Sequence, residues 1–157
     1  MLSIGFESIS RETLRSVHKY QNTPESYRAL GAKVVLVEKI QNFGILVFGL
    51  FMFGFDQEDA SVLEETAKFN IYAGYDVCAY SVLTPFPGTV SWYEMLRDKR
   101  MVYYDWDKYG QGYIVYRPKN ISPEQLRAGH MTAYKEFYSL LSIIMRFLIS
   151  GSRSSFY

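Results

Sequence analysis

The sequence predicts an α/β fold with a parallel sheet, because three apolar segments alternate with two helical crossovers along residues 1–90. The apolar segments, at residues 1–6, 45–53 and 77–83, have the length of strands and lack the strict polar alternation of a half-exposed strand. Strands joined by such crossovers are parallel and right-handed in nearly all proteins. The 157 residues, 48% of them hydrophobic, suffice for one core of domain size.

The first crossover carries the start signals of two helices. Ser10 is a predicted N-cap, after which Leu14 and Val17 fall on one face of a helix. A Thr-Pro pair then opens a second helix, which is expected at residues 24–42. Gly44 closes it, since glycine is the usual residue just beyond a helix end.

The second crossover is expected to be a single helix. Asp56 or Asp59 is its predicted N-cap, and the apolar stripe of residues 62–69 faces the sheet. Gly74 ends the helix. The third strand cannot continue through residues 84–89, because the two prolines in that stretch have no N–H to donate to a neighbouring strand.

Beyond residue 90 the regular alternation of strands and helices stops. We expect a short helix at residues 91–100, then an aromatic segment with a strand at residues 113–116. Ser122 begins a capping box with proline at the first helical position. The helix that follows is expected to reach Ile149, and this whole stretch forms a region appended to the core.

The composition excludes several classes of protein. The net charge of +1 gives no field that would collect phosphates, so nucleic-acid binding is not expected. Cys78 is the only cysteine and His18 and His130 are the only histidines, which leaves no disulfide and no multi-cysteine metal site. The longest apolar run, residues 44–55, is shorter than the roughly 20 residues of a membrane helix. We therefore expect a cytoplasmic protein without a membrane span.

The predicted sheet is incomplete as it stands. Apolar parallel strands need cover on both faces and protection at both edges, and two crossovers on one side supply neither. We therefore expect the sheet to be one part of a larger structure, completed by strands that lie outside this sequence.

Three segments of the predicted core resemble the radical S-adenosylmethionine (SAM) enzyme family, in the family's order and spacing. Residues 5–10 (GFESIS), followed by Leu14 and Lys19, are similar to the family's fourth strand and the helix after it. Residues 49–56 (GLFMFGFD) resemble its fifth strand, and residues 80–89 (YSVLTPFPGT) its sixth strand and exit loop. Each motif is weak alone, whereas the three together are specific.

The C-terminal part resembles the region after the barrel in the subfamily that carries an N-terminal cobalamin-binding domain. The similar segments are residues 105–107 (DWD), 117–118 (RP), 122–126 (SPEQL) and 137–139 (FYS). The resemblance implies that residues 1–90 are the C-terminal half of a partial (β/α)6 TIM-like barrel. Residues 91–157 are then its helical extension.

The family's Cys-x-x-x-Cys-x-x-Cys loop, which holds a 4Fe-4S cluster, is absent from this sequence together with the first three strands. The resemblance therefore implies a fragment of a radical SAM enzyme, whose missing N-terminal barrel half supplies the iron–sulfur cluster and any cobalamin. The parent is expected to generate a 5′-deoxyadenosyl radical and to perform cobalamin-dependent methyl transfer or related radical chemistry. This chain alone is predicted inactive. Two alternatives stay open, namely a binding module that docks a partner and a truncated product without function.

The resemblance also implies a SAM site at the strand ends, where parallel sheets bind their ligands. Glu7 suits the ribose hydroxyls or the ammonium group of SAM and Ser8 suits its carboxylate, which Lys19 would neutralise. The structural alternatives are an ion pair between Glu7 and a surface arginine, a helix cap by Ser8, and a solvated Lys19 at a helix end.

The expected contacts with adenine are Gly54, Thr84 and Pro85. Gly54 would allow a close approach of the backbone, while Thr84 and Pro85 would line the pocket. The structural alternatives are close packing at the glycine and simple termination of the strand at the Thr-Pro pair. No catalytic residue and no metal ligand is expected in this chain.

Overall fold

A computed structural model describes residues 1–20, 35–110 and 113–151 of the chain. The strands β1 (Leu2–Glu7), β2 (Val47–Phe53) and β3 (Val77–Val82) form one sheet in the order β1–β2–β3, with both pairs parallel. The helices are α1 (Arg11–Ser16), α2 (Val35–Gln41), α3 (Ser61–Ala73), α4 (Val90–Arg97), α5 (Pro123–Phe137) and α6 (Leu140–Gly151). The predicted α/β class with a parallel sheet is confirmed.

The sheet is covered on one face by the described helices. Along β2, Val47, Phe51 and Phe53 are buried in the core, whereas Leu50, on the opposite face, is 36% exposed. Within the described residues, one face of the sheet therefore lacks cover, in agreement with the expectation that two crossovers on one side cannot cover both faces. An uninterrupted apolar run indicates that a strand needs cover on both faces. It does not say whether the same stretch of chain provides that cover.

The predicted caps of the first and third helices have different outcomes. Ser10 caps α1, since its hydroxyl accepts from the N–H of Thr13. The predicted cap of α3 by Asp56 or Asp59 is wrong, because Ala60 is the N-cap. Asp59 instead accepts from the N–H and the hydroxyl of Ser61, at 2.9 and 2.7 Å, in the turn that leads into the helix.

Two glycines end helices as predicted. Gly44 follows α2 with a φ of 71°, and Gly74 follows α3 with a φ of 74°. These left-handed conformations are accessible to glycine without strain. Of the helix predicted at residues 24–42, the part before residue 35 lies outside the described residues.

The region after residue 90 departs from its prediction in two places. No strand forms at residues 113–116, where the described chain makes only an isolated antiparallel bridge between Met101 and Tyr116. The long terminal helix is broken, because α5 ends at Phe137 and α6 begins at Leu140. The capping box at Ser122 is confirmed.

The break between α5 and α6 is held by a buried arginine. The Arg146 guanidinium donates to the carbonyl of Phe137 at 2.9 Å, and to the carbonyls of Tyr75 and Asp76 at 2.9 and 3.0 Å. The Ser142 hydroxyl donates to the same Phe137 carbonyl at 2.8 Å. The side chains of Ser142 and Arg146 thus face inward, while apolar side chains of α6 are exposed at residues 140, 141, 143, 144, 145, 147 and 148.

Tyr134 of α5 and Tyr138, the C-cap of this helix, close the outer edge of β3. The hydroxyl of Tyr134 accepts from the N–H of Tyr80 at 3.0 Å and donates to its carbonyl at 3.1 Å. The hydroxyl of Tyr138 does the same at Cys78, with distances of 3.3 and 2.7 Å. An edge treated in this way is closed to further strands. At the outer edge of β1, no strand pairs within the described ranges.

The appended region and the predicted core are packed together. Helix α5 lies against both α3 and β3, and Leu126, Ala133 and Phe137 are buried in the same core as the sheet. The division of the chain at residue 90 stays a prediction. Among the described residues, no helix is long and apolar enough to cross a membrane.

The variants Tyr134→Phe and Tyr138→Phe test the closure of the β3 edge. Each removes a hydroxyl that serves two backbone groups, so we expect each to lower the free energy of unfolding by about 1–2 kcal/mol. The double variant should also self-associate, because the freed edge can pair with another strand. Denaturant unfolding and light scattering measure the two effects. Tyr93→Phe, at a side chain that is 62% exposed, is the control. Equal losses in the control and the variants would show that these hydroxyls do not protect the edge.

Candidate functional site

The end of β1 has an unusual backbone. Glu7 has a φ of 66°, and the ladder with β2 shifts its register between Gly5 and Glu7. The Glu7 side chain folds back over Gly5, where an added Cβ would lie 2.9 Å from Oε1 of Glu7. Gly5 pairs with Leu50 in the ladder, and ladder partners point to the same face of a sheet. The carboxylate therefore lies on the face that the described helices leave uncovered.

Lys19 reaches the Glu7 carboxylate from the end of α1. The N–H of Lys19 donates to the carbonyl of Leu14 at 2.9 Å, and His18 has a φ of 58°. This is a Schellman-type helix end, which turns the chain sharply. The ammonium group of Lys19 then lies 3.2 Å from Oε1 of Glu7, with side chains 38% and 24% exposed, respectively. Two of the predicted site residues are thus brought together.

Ser8 faces the interior. Its side chain is 2% exposed, its hydroxyl donates to Oε1 of Glu58 at 2.8 Å, and its Oγ accepts from the N–H of Ser10 at 3.1 Å. Both interactions stay within the chain. The helix cap belongs to Ser10 rather than to Ser8. The binding role of Ser8 stays a prediction. Its buried position next to Glu7 indicates that it holds the backbone of Glu7 from the interior side.

Glu58 is a buried carboxylate that the sequence analysis did not single out. Its second oxygen accepts from the N–H groups of Gly54 and Phe55 at 3.0 and 3.3 Å. Burial raises the pKa of Glu58 to about 7, although the hydrogen bonds from Ser8, Gly54 and Phe55 act in the opposite direction. An acidic residue just before a helix usually indicates a favourable interaction with the helix dipole. The only sign of a different role in the sequence is its position four residues after Gly54, within the turn between β2 and α3, where its side chain can accept from the backbone of that turn.

Gly54 is required by the backbone and by packing. Its φ is 97°, and its carbonyl accepts from the hydroxyl of Tyr116. An added Cβ would meet that hydroxyl and would lie 2.9 Å from Cδ2 of Leu126. The structural alternative for this glycine therefore explains its presence. The close approach of adenine to Gly54 stays a prediction.

A cavity of about 320 Å³ lies at the end of β3. Its lining includes Met52, Tyr80, Thr84, Phe86, Tyr109 and Tyr113. The aromatic and apolar wall with a few polar groups is typical of a small-molecule site. Thr84 thus lines the cavity, whereas Pro85 does not. The Thr84 hydroxyl donates to the Val82 carbonyl at 3.2 Å.

A cluster of ion pairs joins the turn after β2 to residues 100–120 of the appended region. Arg100 donates to both carboxylate oxygens of Asp56, at 2.6 and 2.9 Å, and Lys119 lies 3.1 Å from the same carboxylate. Asn120 donates to the Asp56 carbonyl at 2.7 Å. These contacts attach the appended region to the turn after β2. They leave no acceptor at Asp56 free of a partner, so we assign the cluster a structural role.

The described residues do not suit an iron–sulfur cluster. They contain no group of three or more histidine, cysteine, aspartate or glutamate side chains that could hold a metal ion. Cys78 is buried within β3, and burial raises the pKa of its thiol well above the ordinary value. A protonated thiol is neither a nucleophile nor a metal ligand.

The chain is similar to known methyltransferases along nearly all of its length. It is 32% identical to the bacteriochlorophyllide d C-12(1)-methyltransferase of Chlorobaculum tepidum, over 93% of this chain and 30% of that protein. An uncharacterized methyltransferase of Pyrococcus horikoshii is 27% identical over 90% of this chain and 29% of its own length. The bacteriochlorophyllide d C-8(2)-methyltransferase of Chlorobaculum tepidum is 24% identical over 92% and 31%. No protein-family model matches the sequence. The chain spans about 30% of the length of these relatives.

Gly54→Ala tests the packing at the end of β2. We expect it to lower the free energy of unfolding by about 3 kcal/mol or more, since a left-handed backbone and a steric clash add together. Gly88→Ala is the matched control, because Gly88 has a φ of 87° and nothing within 4 Å of an added Cβ. The control should lose only about 1–2 kcal/mol. Denaturant unfolding gives both values, and equal losses would contradict the clash with Tyr116 and Leu126.

The raised pKa of Glu58 predicts a pH dependence of stability. The carboxyl ionises near 4.5 in the unfolded chain and near 7 in the folded one. Between these values the folded state binds more protons, so the free energy of unfolding falls as the pH rises, by about 2–3 kcal/mol. Glu58→Gln cannot ionise and should lack this component, whereas the exposed control Glu65→Gln should keep it. Unfolding curves of Glu58→Gln and the wild type that stay parallel from pH 4 to 8 would refute the assignment.

Proposed function

We propose that this chain is the SAM-binding side of a radical SAM enzyme that transfers a methyl group. The proposal is carried by one observation: the Glu7 carboxylate is held at the end of a parallel strand, on the uncovered face of the sheet, with the Lys19 ammonium group beside it. Similarity to methyltransferases over 93% of the chain supports the reaction class. SAM bound at the strand ends would supply the methyl group or the radical of the reaction.

The distance between the two parts of the site suits a nucleoside with an amino-acid side chain. Glu7 lies at the end of β1 and Thr84 just beyond β3, with β2 between them. Two strand spacings amount to about 10 Å. One ligand could therefore reach from the ion pair at β1 to the aromatic cavity at β3.

Each site residue has a distinct proposed role. The Glu7 carboxylate accepts hydrogen bonds from ribose hydroxyls or pairs with the ammonium group of the ligand. Lys19 exchanges part of its ion pair for the ligand's carboxylate as a point charge. Adenine lies in the cavity beside Thr84, with Pro85 ending the strand next to it, and the turn at Gly54 closes the site from the β2 side.

The iron–sulfur cluster and cobalamin belong to the rest of the enzyme in this proposal. The described residues lack the thiolates that a 4Fe-4S cluster needs, so no step that involves the cluster is assigned to this chain. The relatives are about three times as long as the matched region, which leaves room for a cluster loop and a further domain.

The missing part of a (β/α)6 barrel would join this sheet at β1. Tyr134 and Tyr138 close the outer edge of β3, whereas the outer edge of β1 has no pairing strand in the described part of the chain. A strand added beside β1 would extend the sheet. Further strands that curve round to close a barrel would bring their side chains over Leu50 and the neighbouring side chains of the uncovered face.

The proposed substrates are tetrapyrroles. Two of the relatives are named as methyltransferases of bacteriochlorophyllide d.

A second candidate function is a non-catalytic interaction module. The observation that favours it is α6, on which seven large apolar side chains are between 41 and 74% exposed. Exposed apolar surface of this kind usually indicates an interaction site. A SAM titration separates the two candidates, because the module has no need of the Glu7–Lys19 pair.

Glu7→Gln tests the SAM site. It removes the charge and keeps the shape, so we expect SAM to bind about 10-fold more weakly, which corresponds to about 1.4 kcal/mol. The control is Glu12→Gln, an exposed carboxylate in the first turn of α1. Ligand-observed NMR suits the weak binding expected of a partial site. SAM binding that is equal in the wild type and Glu7→Gln would contradict the proposed site.

A further inference from the structure

One buried carboxylate connects the ends of β1 and β2. Glu58 accepts from the Ser8 hydroxyl through Oε1, and from the N–H groups of Gly54 and Phe55 through Oε2. Ser8 directly follows Glu7, while the two N–H groups belong to the turn after β2. The ladder between β1 and β2 ends at the pair Glu7–Phe51, so it includes neither Ser8 nor the turn after β2. The carboxylate therefore sets the relative position of the two strand ends.

The backbone of Glu7 needs an anchor of this kind. A residue with a side chain enters the left-handed region, here with a φ of 66°, only where its surroundings hold it there. Ser8 provides that hold on the C-terminal side, because its Oγ is bonded both to Glu58 and to the N–H of Ser10. Without the bond to Glu58, Ser8 would be held only by its own local turn.

We propose that Glu58 is a positioning residue for the SAM site. Through Ser8 it holds Glu7 in the conformation that places the Glu7 carboxylate over Gly5 and beside Lys19. Glu58 is 2% exposed and lies behind the strand ends, so it would not touch the ligand. The inference rests on the proposed function, since Glu7 is the group that would contact SAM.

The test is a double-mutant cycle between Ser8→Ala and Glu58→Gln, with two readouts. The first is SAM affinity by titration, and the second is the backbone conformation of Glu7, measured by NMR chemical shifts without ligand. We expect Ser8→Ala to weaken SAM binding about 10-fold and to shift the Glu7 signals away from left-handed values. Above pH 7, Glu58→Gln should act in the same direction, because the ionised carboxylate accepts at both oxygens whereas the amide has one acceptor oxygen.

The cycle separates action through Ser8 from independent effects. If Glu58 acts through Ser8, the double variant should bind SAM within about 2-fold of Ser8→Ala alone, because both substitutions break the same contact. Ser61→Ala is the matched control. Its hydroxyl donates to a carboxylate at 2.7 Å, as that of Ser8 does, but on the exposed surface. It should change neither readout.

The outcomes are distinct for the two proposals. Additive losses of affinity, or Glu7 signals that stay in place in both variants, would overturn the positioning role. If the wild type does not bind SAM, the proposed function fails, and the Glu7 signals alone then decide whether Glu58 positions this residue. A loss of affinity in Ser8→Ala without a shift of the Glu7 signals would identify Ser8 as a direct ligand, and would also overturn the proposal.

Discussion

The arrangement of the strand ends depends on the buried carboxylate of Glu58. Parallel strands bring their C-terminal ends to one edge of a sheet, but the ladder cannot order the residues beyond its last pair. Here the Glu58 carboxylate connects those residues. One of its oxygens accepts from Ser8, just after β1, and the other accepts from the N–H of Gly54, in the turn after β2. Its burial disfavours the charge while hydrogen bonds, that of Ser8 first, favour it, which leaves the pKa of Glu58 at about 7. The left-handed Glu7 is joined to this carboxylate through the hydroxyl of its neighbour Ser8.

The two edges of the sheet differ in whether another strand can pair with them. Along β3, two tyrosine hydroxyls each donate to a carbonyl and accept from an N–H, as a neighbouring strand would. Tyr134 on α5 and the C-cap residue Tyr138 are four residues apart, which places them on one side of the helix, while Tyr80 and Cys78 are two residues apart on β3. At the outer edge of β1, no strand pairs within the residues that the structure describes. Growth of the sheet is therefore excluded at β3 rather than at β1.

Local signals in the sequence predicted the elements, and long-range contacts decided where those predictions were wrong. Gly74 and the capping box at Ser122 act within a few residues, so their patterns identified the helix ends correctly. The break between α5 and α6 depends on Arg146, which binds the Phe137 carbonyl from the next helix. The role of Glu58 likewise depends on burial among distant residues. Within its own turn it resembles any acidic residue at a helix start.

The candidate ligand site lies in part on the uncovered face of the sheet. The Glu7 carboxylate lies over Gly5, on the face of Leu50, and Met52 brings that face into the cavity at β3. A ligand that fills this site would be enclosed on its remaining side only by whatever covers the face. Covering the face also removes apolar surface from water, which favours association. Completion of the sheet and tight ligand binding should therefore be coupled, each strengthening the other by the same factor.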